Sequence, residues 1–477
     1  MEQLIGRESE KQTLLAALNT SGSELVAIFG RRRVGKTFLV RSVYYKQLIF
    51  EFSGMHSGSM KRQLQNFNNT LQSYSKKITP DEYSDNWLDA FEMLKKYISL
   101  KKTEGKKVVF LDEFPWIETP RAGFLSAFEH FWNSWASKQE SLIVVICGSS
   151  ASWMIKKIVN SKGGLHNRLT RRIRLMPFSL KETELYFINK KIKLDRYQII
   201  QLYMVLGGIP YYLNSVQAGE SAALCIDRTC FTKDGLLTGE FNNLYESLFN
   251  EARRHLEIVK VLAKHPEGLS RDNMTKYIGA SSGGRLTATL TELEESGFIS
   301  AYVPFGKSYK NKIFKLIDEF SFFYLKFMEH NPYPGEGTFI RFSISGIWKV
   351  WAGFAWERIC LKHSRQIKEF LGISGIHSTD GVWRFKGNKE KQGSQIDLFI
   401  DRDDHCINIC EMKFYNSPII INKNYALEMK GKLDKFSDVT KTRKTLFLTL
   451  ITTFGIKDNE HSTGLIQNSL TMDALFR

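Results

Sequence analysis

A chain of 477 residues that is 43% apolar and 25% charged has material for several packed cores, and it carries no low-complexity or single-sign block that would leave a large part unfolded, so roughly two to four domains are expected. The formal charge of +17 favours an anionic partner, nucleic acid being the commonest, but it is spread along the length, so a generally basic solvated surface explains it equally well. Six cysteines with no C-x-x-C pair exclude a disulfide framework and a zinc ribbon, while the absence of an apolar signal core and of any bilayer-length apolar run gives the expectation of a cytoplasmic protein with no membrane segment.

Taken in order, Leu14, Leu15 and Leu18 fall on one face of a helix over 7–18, just ahead of a short apolar strand, Leu25–Phe29. Directly after it, Gly30-Arg31-Arg32-Arg33-Val34-Gly35-Lys36-Thr37-Phe38 fits G-x-x-x-x-G-K-[ST]. In such a loop the backbone N–H groups wrap phosphates, the lysine reaches the β and γ oxygens, and the threonine hydroxyl holds Mg²⁺; the order strand, loop, helix is the one this chemistry needs. A second strand is expected at 48–52, then a helix on which Trp87, Leu88, Phe91, Leu94 and Ile98 recur at helical spacing. The strand Val108-Val-Phe-Leu-Asp-Glu ends in two acids with different tasks, Asp112 for the Mg²⁺ shell and Glu113 to orient or deprotonate the attacking water. A further buried strand, Ser141–Cys147, ends at Gly148-Ser149-Ser150, where Ser149 or Ser150 could sense the γ-phosphate or simply turn the chain. Of the four arginines in the stretch 163–174, Arg168 is the candidate for stabilising charge on the transferring phosphoryl group.

Gly6-Arg7-Glu8, the loop Gly30–Thr37, Leu111-Asp-Glu-Phe, Cys147-Gly-Ser-Ser, Gly164-Leu-His-Asn-Arg168 and Gly207-Gly-Ile-Pro210 together resemble the archaeal-type prokaryotic ATPases of the STAND/AAA+-related group. The resemblance implies an α/β fold: a five-stranded P-loop core with a helical lid carrying Gly207–Pro210, here residues 1–235, followed by a winged-helix domain, here 236–330. In that group Arg168 corresponds to a Gly-x-Arg arginine, though Asn167 precedes it in this chain. ATP and Mg²⁺ are the cofactors implied.

In the middle region a single amphipathic helix is expected over 245–262, then shorter helices over 271–278 and 284–296 and a hairpin formed by 297–303 and 311–317. The third helix sets Arg285 against Glu292, Glu294 and Glu295, which suits packing or relay better than DNA reading, whereas Lys307, Lys310 and Lys312 in the hairpin remain candidate phosphate contacts. A linker is read at 331–337.

Beyond it, Ser394-Gln-Ile-Asp-Leu-Phe-Ile and Cys406-Ile-Asn-Ile-Cys-Glu-Met-Lys-Phe read as the two strands of a hairpin with Asp401–His405 as the turn. Alternation puts Glu411 and Lys413 on one face with Asp397 as cross-strand neighbour, a set able to bind a divalent cation and activate water for phosphodiester cleavage. This D…E-x-K pattern, with Glu357 of Trp356-Glu-Arg as a further acid, resembles the PD-(D/E)XK nucleases, which implies a restriction-endonuclease-like domain over 341–477 with Glu357, Asp397 and Glu411 as metal ligands and Asp397, Glu411 and Lys413 as catalytic residues. Cys406 and Cys410 fall on the opposite strand face and read as core thiols rather than ligands alongside His405. The whole reads as an ATP-binding switch that controls a nuclease-like domain acting on DNA. The alternative is a signalling or scaffold ATPase, a nucleotide-gated homo-oligomer, whose last domain binds nucleic acid or protein without cutting.

Overall fold

The computed structural model describes residues 3–76, 79, 83–249, 251–279, 283–331, 335–385, 387 and 393–477, so the centre of the expected 331–337 linker lies outside the described residues. The chain forms two compact units, one of residues 1–177 with 295–297 and one of 178–294 with 298–477. This division falls earlier than the end of the helical lid expected at 235.

The first unit is built on five parallel strands, β1 Glu24–Phe29, β2 Leu48–Ser53, β3 Lys107–Asp112, β4 Leu142–Gly148 and β5 Arg171–Arg174, in the order β2-β3-β4-β1-β5. Every residue of β1 and β4 is buried, which is why both read as continuous apolar runs: a parallel strand covered on both faces has no polar side to alternate with. Helices Trp87–Leu100 and two that periodicity did not reveal, Met60–Tyr74 and Phe124–Ser134, cover one face with an aromatic cluster. Phe52 meets Phe67 at 5.1 Å, Trp87 meets Phe124 at 4.8 Å, and Phe91 stacks on Phe131 at 5.0 Å. Each fully buried ring contributes roughly 1.5–3 kcal/mol relative to exposure, so this cluster sets the sheet's position firmly.

The second unit opens with helices Leu180–Asn189, Arg196–Leu206, Ala222–Cys230 and Glu240–Leu248. Gly207-Gly208 ends the second of these for a steric reason. Gly207 has φ +60, and a side chain at Gly208 would place its Cβ 1.9 Å from the carbonyl oxygen of Phe178, whose N–H donates to the Gly208 oxygen at 2.6 Å.

Next comes a three-helix module, Ala252–Lys264, Arg271–Ile278 and Gly283–Glu295, with a small sheet of β6 Leu269–Ser270, β7 Ile299–Tyr302 and β8 Ile313–Leu316 in the order β6-β8-β7. The single helix expected over 245–262 is in fact two, Glu240–Leu248 and Ala252–Lys264. Phe249 leaves the helical conformation (φ −129, ψ 128), and its ring lies on His255 at 3.8 Å and beside Phe298 at 5.9 Å, so packing overrides a periodicity that runs through the break.

The last module is a mixed sheet: β9 Ser378–Phe385, β10 Ser394–Arg402, β11 Cys406–Lys413, β13 Thr445–Thr452 and β15 Asn468–Leu470 in the order β15-β13-β11-β10-β9, with a separate ladder of β12 Ile419–Ile420 and β14 Ile456–Lys457. Pairs β9–β10 and β10–β11 are antiparallel, whereas β11–β13 and β13–β15 are parallel. Helix Lys423–Thr440 closes a core of Trp383, Ile396, Phe399, Ile409, Met429, Phe436 and Leu450, and helix Gly346–Lys362 packs on β11.

Within this unit the helical region is fastened to the last module. The Leu180 N–H donates to His363 Nε2 at 3.1 Å while His363 Nδ1 bonds the Ile359 oxygen at 2.7 Å, so the imidazole is held as one neutral tautomer. Arg196 pairs with Asp473 at 2.8 Å, and the Tyr197 ring stacks on Phe414 at 5.4 Å. Asp227 accepts from the N–H groups of Gly337 and Phe339, each at 2.6 Å.

Burial drives the His363 pKa down to about 4. The unfolded chain, with an ordinary imidazole near 6.5, therefore takes up the proton first, and the stability this group supplies is complete above about pH 6.5 and lost as pH falls towards 4, on the order of 3 kcal/mol at most. Thermal unfolding of the wild type across that window is expected to show this loss, and His363→Gln to give a flatter profile.

Candidate functional site

The phosphate loop takes its shape from three left-handed residues. Gly30, Arg33 and Gly35 have φ of +152, +70 and +92, and a Cβ at Gly30 would lie 2.2 Å from the Leu175 carbonyl oxygen, so only glycine fits where β1 hands over to the loop. Successive turns of this kind leave backbone N–H groups facing inward as an anion cradle, opening onto helix Lys36–Val43. Lys36 is buried, and its ammonium donates to the carbonyl oxygens of Gly30 at 3.0 Å and Arg31 at 2.9 Å. Arg7, also buried, donates to the Val34 oxygen at 3.2 Å and so braces the loop from the side; sequence reading had used it only as part of a motif. Arg32 lies over the Trp116 ring at 5.8 Å, and Phe38 is an exposed edge of the helix.

Thr37 Oγ1 donates to Asp112 Oδ2 at 2.7 Å, and Asp112 Oδ1 accepts from the Glu113 N–H at 2.9 Å. A hydroxyl and a carboxylate oxygen meeting at the mouth of the cradle are the hard oxygen donors that Mg²⁺ takes together with phosphate oxygens and water, so these residues fit the ion.

Glu113 has φ +45, an uncommon conformation for a residue with a side chain, and its Oε2 accepts from both the N–H (3.1 Å) and the hydroxyl (2.7 Å) of Ser149. Ser149 is fully buried, and both of its donors hold Glu113 at the end of β3. Arg168 lies on an exposed turn, its N–H bonded to the Leu165 oxygen at 3.1 Å.

The second set lies on the hairpin of the last module. The β10–β11 register pairs Leu398 with Cys410, and one step further along sets Asp397 opposite Glu411. On the other edge the β10–β9 register slips between Ile396 and Phe399, a bulge at Asp397. Asp397 and Glu411 are both buried. Glu411 accepts from Lys413 at 2.8 Å and from Lys432 of helix Lys423–Thr440 at 2.9 and 3.0 Å, while Asp397 accepts from Gln395 at 2.9 Å. Burial opposes the charge on Glu411, but Lys413 and Lys432 outweigh it and hold its pKa below the ordinary carboxyl value. Burial, then the nearby Glu411, pushes Asp397 up, and burial followed by Asp397 pushes Glu357 up to about 8.

Charge thus links Glu411 with Lys413 through a direct ion pair, and Asp397 with Glu411 and with Glu357 through their fields. The expected metal set is nevertheless not assembled: among the described residues no three His, Cys, Asp or Glu side chains are grouped to hold a metal ion, because both Glu411 oxygens are turned onto lysines. Lys432, 21 residues from Glu411 in the chain, gave no sequence signal beyond being one lysine among several on its helix. Five of the cysteines, Cys410 included, are buried free thiols and Cys406 is half-buried, in keeping with core rather than ligand roles.

Residues 4–216 match a family described as an ATPase domain predominantly from Archaea. Over 407 residues, 84% of each chain, the sequence is 26% identical to the uncharacterized protein MJECL04 of Methanocaldococcus jannaschii. Among solved structures it is similar to the Walker-type ATPase PABY2304 of Pyrococcus abyssi, with 18% identity, a TM-score of 0.49, and coverage of 68% of this chain and 96% of that one. It is also similar to the ORC2 protein of Aeropyrum pernix in its ADPNP and ADP complexes, with 14% identity, a TM-score of 0.37, and coverage of 76% and 96%. The chain carries an archaeal-type P-loop ATPase domain. Among the described residues no helix is long and apolar enough to cross a membrane.

Ser149→Ala removes one of the two bonds that hold Glu113. A hydrogen bond to a charged group contributes about 1.5–3 kcal/mol. ATP affinity is therefore expected to stay unchanged while steady-state phosphate release slows by roughly tenfold or more.

Proposed function

We propose that this archaeal-type P-loop ATPase is a nucleotide switch whose ATP state governs a metal-dependent nuclease-like domain over 341–477, acting on DNA. The observation that carries the coupling is the stacking of Tyr197 on Phe414. Tyr197 lies inside the stretch that matches the ATPase family, and Phe414 directly follows Lys413 at the end of β11. A shift of helix Arg196–Leu206 in response to nucleotide would therefore press on the strand that bears Glu411 and Lys413.

At the first site Lys36 would leave the carbonyls of Gly30 and Arg31 for the β and γ phosphate oxygens, and the backbone of residues 30–37 would wrap the phosphate chain. Thr37 and Asp112 would hold Mg²⁺, which supplies charge neutralisation along the phosphates. Glu113, kept in place by Ser149, would orient the attacking water, and Arg168 is the candidate for a charge-stabilising arginine. At the second site Glu357, Asp397 and Glu411 would hold a divalent cation that activates water towards a phosphodiester, with Lys413 stabilising the developing charge. The net positive charge of the chain supports a polyanionic substrate.

The second reading is a signalling or scaffold ATPase, self-associating under nucleotide control, whose last domain binds nucleic acid or protein without cleaving it. The lysines bonded to Glu411 favour it, since they occupy the oxygens a cation would need.

Lys36→Ala is expected to abolish ATP binding in an equilibrium titration; unchanged affinity rejects the phosphate-loop assignment. DNA cleavage measured with Mg²⁺ or Mn²⁺, with and without ATP, is expected to respond to nucleotide and to vanish in Asp397→Ala. An absence of cleavage by the wild type under all these conditions favours the scaffold reading, and equal cutting by both proteins removes Asp397 from the chemistry.

A further inference from the structure

Helix Gly346–Lys362 begins with the run Gly-Ile-Trp-Lys-Val-Trp-Ala-Gly-Phe-Ala, in which Lys349 is the only charged side chain, so its first turns are apolar around the whole circumference. A helix of that kind is ordinarily covered on every side. Here one side is covered: Trp348 and Trp351 are buried, the first against Phe339 at 5.1 Å and the second stacked on Phe322 at 5.2 Å. The other side is bare. Ile347 is 53% exposed and Val350 65%, and with the half-buried Phe354 they recur at i, i+3 and i+7, the spacing of a single helical face.

This face lines a groove of about 960 Å³, whose remaining apolar lining comes from the end of helix Ala252–Lys264 and from Phe322 and Leu325. Charge around the groove is of one sign. Glu329 is its only acid and is already engaged by Lys260 at 2.6 Å. Lys264 and Lys326 also line it, both exposed, and among the described residues neither ammonium has an ion pair or a hydrogen bond. Two cations without a counter-charge therefore flank an apolar face without a cover.

These features select the occupant. An apolar floor between cations fits a body that is apolar on one side and acidic at its edges. A second copy of this chain fits poorly, because it would bring the same cations on a molecule already at +17. The bare apolar surface also runs on past the groove to Ile344, 79% exposed and three residues ahead of Ile347, so an extended segment covers it where a compact small molecule would not. A groove beside two helices accepts a third helix by ordinary ridge packing.

We propose that this groove docks an acidic amphipathic helix of a partner protein, its aliphatic or aromatic side chains against Ile347, Val350 and Phe354 and its carboxylates against Lys264 and Lys326. None of these residues belongs to the phosphate loop or to the hairpin acids, so the docking is independent of the function proposed above.

The test is fluorescence anisotropy of the full chain with two labelled synthetic helices of about 15 residues. One carries leucines along one face and glutamates on both flanks, and the other replaces every glutamate by lysine. Wild type, Ile347→Gln/Val350→Gln and Lys264→Glu/Lys326→Glu are compared; all four side chains are exposed, and circular dichroism confirms folding. The acidic helix is expected to bind the wild type about tenfold more tightly than the basic one. Its affinity should fall by about tenfold or more in Ile347→Gln/Val350→Gln, and the preference between the two helices should reverse in Lys264→Glu/Lys326→Glu. No binding of the acidic helix to the wild type, or binding that survives both double variants, overturns the proposal. Loss in the glutamine variant without any response to charge reversal overturns the acidic character of the partner. A wild-type dimer in sedimentation equilibrium that dissociates in Ile347→Gln/Val350→Gln assigns the face to a second copy and overturns the partner helix.

Discussion

The ammonium of Lys36 rests on the carbonyl oxygens of Gly30 and Arg31, and the same condition governs the rest of the chemistry in this chain: charge that is folded inside must find a partner from the protein when no ligand is there. Asp112 is met by Thr37 and Glu113 by Ser149, while Glu411 is met by two lysines. None of these partners is inert. In the phosphate loop such a group is one that a nucleotide must displace or recruit, so affinity there is a difference between two sets of bonds rather than the sum of one.

The second compact unit adds a mechanical condition. Helices that follow the parallel sheet in the chain, and that belong in part to the ATPase family stretch, fall in one compact unit with the three-helix module and the mixed sheet. His363, Arg196, Tyr197 and Asp227 make that junction through specific hydrogen bonds, an ion pair and a stacked ring. The buried bonds among them, from Leu180 to His363 and from Phe339 to Asp227, hold one arrangement against its neighbours more sharply than apolar packing does, since sliding by a few ångström leaves them unsatisfied.

The parts of the molecule legible in the sequence were those whose cause is local. The loop of residues 30–37 announces itself because a cradle for phosphate needs glycine at fixed places within eight residues, and the acids at 112 and 113 because they end an uninterrupted apolar strand. The hairpin carrying Asp397, Glu411 and Lys413 was legible through alternation, and β10 and β11 pair antiparallel up to Leu398 and Cys410, the neighbours of Asp397 and Glu411. What escaped depends on groups far apart in the chain. Ser149 lies 36 residues from Glu113, and Lys432 lies 21 residues from Glu411. The break at Phe249 escaped for a related reason: hydrophobic spacing continues through it, and only the rings of His255 and Phe298 make it favourable. The helices Met60–Tyr74 and Phe124–Ser134 contribute aromatic residues to a shared cluster, so their pattern makes sense only beside each other.

The slip in pairing between β9 and β10 has an effect on the parity of the strand. Residues three apart on a regular strand look in opposite directions, yet Ile396 and Phe399 both enter the same core. The additional residue at the bulge absorbs that half-period, and Asp397 sits on the uneven step. Its carboxylate accepts from Gln395 two residues back on the same strand, while Ile396 and Phe399 keep their places in the core. A strand of perfect regularity would have had to surrender either a core side chain or an acid.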